Sequence, residues 1–130
     1  MVVDASAALG LLLAEKHAHW VADRLEENAA HLLMTAVNLA EVLIVLHDRK
    51  PRTAARLENQ LLRTGLAIVP VDRQLARLAA RARLRYPLNL GDCFCYALAA
   101  QERLPILTLD ADFRKLDVQV MLPPAGGGGP

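Results

Sequence analysis

With 130 residues the chain has the length of one domain, which excludes separate cofactor and substrate lobes. Its 54% hydrophobic, 22% charged and 4% aromatic content is that of an aliphatic globular core and excludes a disordered chain or a disulfide scaffold. A formal charge of +1, from 15 basic against 14 acidic side chains, gives no global attraction to polyanions or membranes, so any such affinity must be local.

The apolar pattern switches between short continuous runs and helical spacing, which predicts strands alternating with helices around a mostly parallel sheet. Val2 and Val3 open the chain as a strand, followed by helices over residues 5–14 and 17–27. A strand over 31–37 leads into helices over 39–49 and 52–63, the second closed by Gly65. A strand over 66–71 precedes a helix over 73–86 that Pro87 stops. A helix over 92–103, a strand over 105–109 and an edge strand over 118–122 complete a domain spanning residues 1–122. Residues 123–130, rich in proline and glycine, carry no core pattern and are expected to form a disordered tail. The N-terminus lacks the pattern of a signal peptide, and no apolar run approaches a membrane span. Cys93 and Cys95 are too close and too few for a disulfide framework and are expected to be reduced thiols of a cytoplasmic protein.

In an open α/β sheet, ligands bind beyond the carboxyl ends of the strands, and here those positions are acidic. Asp4, Asp72 and Asp110 each follow a predicted strand, Glu41 follows the strand ending at Val37, and Asp92 opens the helix after Gly91. Any one of them reads well as a helix cap, and Asn38 with Glu41 three residues on matches a capping box. Asp72 is expected to be a cap and nothing more. A set of carboxylates brought to one edge is different, because they repel unless a cation neutralises them, and oxygen ligands of this kind suit Mg²⁺ or Mn²⁺. Such an ion activates water and stabilises charge on a phosphoryl group, so hydrolysis of a phosphodiester needs no protein nucleophile. The chain has no Gly-rich phosphate loop, serine elbow or zinc-protease motif, and its four histidines fall away from the acidic junctions. Arg73, Arg77, Arg81 and Arg85 recur every four residues as one stripe without an interleaved acid, a candidate RNA-binding face, although each alone reads equally as a solvated side chain.

Taken together, Val2-Val3-Asp4-Ala5-Ser6-Ala7, Thr35-Ala36-Val37-Asn38-Leu39-Ala40-Glu41-Val42, Leu88-Asn89-Leu90-Gly91-Asp92-Cys93-Phe94 and Leu107-Thr108-Leu109-Asp110-Ala111-Asp112-Phe113 resemble the PIN-domain endoribonucleases of the VapC toxin type. The resemblance runs to about Leu122 and implies a three-layer α/β/α fold with a central, mostly parallel sheet. It implies a Mg²⁺- or Mn²⁺-dependent cut in RNA, tRNA or rRNA among the substrates, a homodimer, and neutralisation by a cognate antitoxin. Asp4, Glu41 and Asp92 fall on the family's metal-binding acids. Asp110 is the choice for the fourth, with Asp112 the alternative. Ser6 and Thr35 match positions where the family carries a hydroxyl, with the task of orienting a carboxylate.

Asp110-Ala111-Asp112 also begins the nucleophile motif of haloacid-dehalogenase-like phosphatases, but that motif belongs after the first strand, not a late one. A receiver-like phospho-acceptor domain would need a Lys after a late strand, where only Lys115 is near. The remaining rival keeps the fold without the chemistry, as an inactive module that binds RNA or an antitoxin.

Overall fold

The computed structural model describes residues 1–125. In chain order they form β1 (Val2–Val3), α1 (Ala5–Leu12), α2 (Ala18–Glu27), β2 (Leu33–Thr35), α3 (Ala36–Arg49), α4 (Ala54–Leu62), β3 (Ala67–Val69), α5 (Arg73–Arg85), α6 (Leu90–Glu102) and β4 (Ile106–Leu107). A short 3-10 helix (Ala111–Lys115) and β5 (Val120–Met121) follow. The five strands lie in the order β3-β2-β1-β4-β5, every pair parallel, with Val2 opposite both Leu33 and Ile106. The segment expected as an edge strand is indeed the edge.

Side-chain alternation on these short strands divides the core into two. Val3, Met34 and Leu107 face one side, where Ala7, Ala8, Leu12, Val21, Leu25, Val42, Leu46 and Leu61 bring α1 to α4 against the sheet. Val2, Leu33 and Ile106 face the other, covered by Leu75, Ala79 and Ala82 of α5 and by Cys95, Leu98 and Ala99 of α6. The result is the three-layer sandwich expected, with β1 at its centre and the residue after β1 necessarily deep in the fold.

Local boundaries differ from the sequence-based expectation where side-chain hydrogen bonds override apolar periodicity. The strand expected over 31–37 ends at Thr35, and α3 begins at Ala36 without an intervening loop. The Thr35 hydroxyl accepts the N–H of Asn38 at 3.0 Å and is therefore the N-cap, so the capping box expected of Asn38 and Glu41 does not exist. Asn38 instead lies in the first turn of α3, fully buried. Likewise Asn89, not Asp92, caps α6, which starts at Leu90. The first helix stops at Leu12 rather than 14, because Ala14 turns into the left-handed region at φ 52°. Gly65, at φ +88°, follows α4 and makes the turn towards β3. On α5 the four arginines of the stripe are exposed while Leu75, Ala79 and Ala82 are buried, as their spacing requires. Of the expected tail, 123–125 belong to no helix or strand, and 126–130 lie outside the described residues.

Candidate metal centre

Asp4 directly follows β1 and stands at the start of α1 with only 3% of its surface exposed. Its side chain makes no helix cap. Its Oδ2 accepts the Ser6 hydroxyl at 2.6 Å and the Thr108 hydroxyl at 2.8 Å. The two hydroxyl oxygens are 3.1 Å apart and are themselves fixed by backbone, Ser6 Oγ accepting the Leu109 N–H and Thr108 Oγ1 the Asp110 N–H, both at 3.0 Å. Three side chains separated by up to 104 positions in sequence are thereby locked at the junction of β1, α1 and β4. Burial raises the Asp4 carboxyl above its ordinary range, while these hydroxyls and the neighbouring backbone N–H groups pull it back.

Glu41 projects from the second turn of α3 towards α6. Its Oε1 accepts the Asn38 amide at 2.8 Å. Burial raises its carboxyl, the bond from Asn38 lowers it, and the charge on Asp4 raises it further. Gly91 lies against it: a Cβ there would collide with the Glu41 carboxylate, which would have to move from this place.

Asp92 occupies the first turn of α6, half-buried. Burial first, and then the negative charges of Asp4, Asp110, Glu41 and Asp112, push its carboxyl up to about 7. No arginine, lysine or histidine pairs with any of these acids, since the ion pairs among the described residues are Arg24–Glu27 and Arg85–Asp117. Asp110, after β4, accepts the Asp112 N–H at 2.9 Å and so caps the 3-10 helix, leaving its second oxygen uncommitted. Asp112 is exposed. The fold thus brings Asp4, Glu41, Asp92 and Asp110 into one shared field, with Asp112 on its margin. Asp72 takes no part; it caps α5 by accepting the Leu75 N–H at 2.8 Å, as expected.

Of the two hydroxyls singled out in the sequence, Ser6 touches Asp4 directly. Thr35 touches no carboxylate: its hydroxyl donates to Asn38 Oδ1 at 2.6 Å, one step removed from Glu41. Sequence pattern did not single out Thr108, buried and bonded to Asp4, and assigned Asn38 to a cap it does not form. A polar residue placed inside the apolar stripe of a helix or at the end of a buried strand was the signal available for both.

The donor chemistry fits a hard divalent ion, because the carboxyls of Glu41 and Asp92, raised by burial and by the neighbouring acids, lack the counter-charge that such an ion supplies. Among the described residues no three acids, imidazoles or thiols are drawn together closely enough to enclose an ion as they stand. Cys93 and Cys95 are free and buried, burial raising both thiols, so they remain protonated and chemically quiet. A cleft of about 310 Å³ between the end of α6 and the approach to β5, lined by Tyr96, Arg103, Pro105 and Asp117 among others, contains none of the four acids. No helix of the described residues is long and apolar enough to cross a membrane.

The chain is similar to known proteins over most of its length. Residues 1–119 match the PIN domain family model. A ribonuclease VapC of Mycolicibacterium smegmatis is 36% identical over 126 residues, covering 91% of this chain and 97% of the relative. Among solved structures, DNA-bound VapBC from Salmonella typhimurium superposes with a TM-score of 0.78 at 14% identity, covering 92% of this chain and 95% of the other. A toxin-antitoxin complex from Klebsiella pneumoniae gives a TM-score of 0.72 at 18% identity, covering 92% and 94%. With the family matched over nearly its whole length and the acids gathered at the end of a parallel sheet, the chain belongs to the PIN-domain family, in its VapC ribonuclease branch.

Proposed function

We propose that this protein is a Mg²⁺- or Mn²⁺-dependent endoribonuclease toxin, neutralised by a cognate antitoxin. The observation that carries the reading is Asp92: a half-buried carboxylate among four others, without a basic partner, in a fold whose M. smegmatis relative is named a ribonuclease. Asp4, Glu41, Asp92 and Asp110 are the residues that would hold the ion, with Asp112 the alternative to Asp110. When bound, the ion supplies an activated water and neutralises charge on the transferring phosphoryl.

The chain's own residues set the geometry. Ser6 and Thr108 bind one oxygen of Asp4 and so present the other. The exposed arginines Arg73, Arg77 and Arg81 supply cations for the RNA backbone. Arg85 of the same stripe is engaged with Asp117 at 3.2 Å and lies over the Tyr86 ring at 5.0 Å. The family likeness is what supports tRNA or rRNA as substrate and a homodimeric assembly. An antitoxin partner is supported by the K. pneumoniae neighbour, described as a toxin-antitoxin complex.

One observation favours the rival reading of an inactive RNA- or antitoxin-binding module: among the described residues the acids do not already enclose an ion. Incubating the antitoxin-free chain with total RNA in Mn²⁺, Mg²⁺ or EDTA separates the two. Discrete fragments that require the ion and vanish with Asp92→Asn are expected. Intact RNA throughout, beside binding of the same RNA in a gel shift, would establish the inactive module instead.

A further inference from the structure

We infer that Asn38 is a positioning residue, whose buried amide ties the Glu41 carboxylate to the first turn of α6 and so fixes Glu41 relative to Asp92. The inference rests on the functional reading above and deepens it. Asn38 is 0% exposed, and its side chain is fully committed. Nδ2 donates to Glu41 Oε1 at 2.8 Å and to the Gly91 carbonyl at 3.0 Å, while Oδ1 accepts the Thr35 hydroxyl at 2.6 Å. The orientation of the amide follows from the carboxylate and the carbonyl facing Nδ2, both acceptors, while the Thr35 hydroxyl facing Oδ1 is free to donate.

A helix cap would satisfy one N–H of its own helix. This amide does something else: it bridges two helices through residues 53 positions apart in sequence, each helix carrying one acid of the centre. Asp92 is the residue after Gly91, so a carbonyl held by Asn38 lies on the same turn as that carboxylate. Gly91 completes the arrangement by omitting the Cβ that would collide with Glu41. A buried amide in an apolar helix face costs desolvation and is retained where its bonds define a unique arrangement.

The test is Mn²⁺ binding to the full chain, measured by calorimetric titration, with melting temperature and circular dichroism recorded without metal. Asn38→Ala should weaken Mn²⁺ binding by about 10- to 100-fold, the range for groups that orient metal ligands. Gly91→Ala, which improves helix propensity and removes no buried polar group, should weaken it by displacing the same carboxylate. In a Glu41→Ala background neither substitution should weaken binding further, because both act through Glu41. Unchanged Mn²⁺ affinity in Asn38→Ala, or the same loss with Glu41 present and absent, would overturn the inference. Should Asn38→Ala not fold, Gly91→Ala with and without Glu41 tests the tether instead: a loss confined to the chain that keeps Glu41 supports it, and a loss independent of Glu41 overturns it. A parent chain that binds no Mn²⁺ contradicts the functional reading itself, and the inference falls with it.

Discussion

The residues of the centre owe their properties to burial that their hydrogen bonds offset only in part. Asp92 titrates at about 7 rather than 3.8, so the folded chain holds protons more tightly than the unfolded chain across that interval. The associated stability is complete below the unfolded value and is lost as pH rises through the folded one; Asp4 and Glu41, also raised, act with the same sign. Without divalent ions the melting temperature should therefore fall between about pH 4 and pH 7, and Asp92→Asn should flatten that fall. Parallel pH profiles for parent and variant would contradict the assignment. Thr108→Val, close to isosteric, removes one donor to Asp4 and the acceptor for the Asp110 N–H. A loss of about 1–3 kcal/mol in urea denaturation is expected, since a buried carboxylate and a backbone N–H each lose a partner.

Among the elements, helix starts decide which acids are structural and which are free for chemistry. Asp72 and Asp110 both accept backbone N–H groups, but Asp72 is not among the charges that raise Asp92. Asp72→Ala should thus cost about 1 kcal/mol of stability in chemical denaturation and leave RNA cleavage unchanged. A loss of cleavage in a folded Asp72 variant would add that residue to the centre. The alternation of strands and helices, the edge position of 118–122 and the buried face of α5 were legible in the sequence, because apolar spacing reports burial directly. The start of α3 was not. Asn38 followed by Glu41 three residues on imitates a capping box, and only the tertiary contact with Gly91 shows that this amide points across to α6. The contact between Thr108 and Asp4 spans almost the whole chain, and no local pattern encodes it.

The whole molecule is nearly neutral, so attraction of the proposed RNA substrate would come from a surface and not from net charge. Arg77 and Arg81 are exposed and stand on the outer face of α5 without an ion-pair partner among the described residues. Replacing both with Gln should flatten the dependence of log affinity on log salt by about 0.7 for each arginine that contacts a phosphate, as measured by fluorescence polarisation with labelled RNA. An unchanged slope would remove the stripe from the RNA-binding surface. The fold's central consequence is the gathering of acids from β1, α3, α6 and the end of β4 into one field that a divalent ion would neutralise. Thermal denaturation above neutral pH, with and without Mn²⁺, for the parent and Asp92→Asn tests this most directly. The parent should gain stability with Mn²⁺, while the variant should start higher without metal and gain little. Equal melting temperatures without metal, together with equal gains on adding Mn²⁺, would contradict the account.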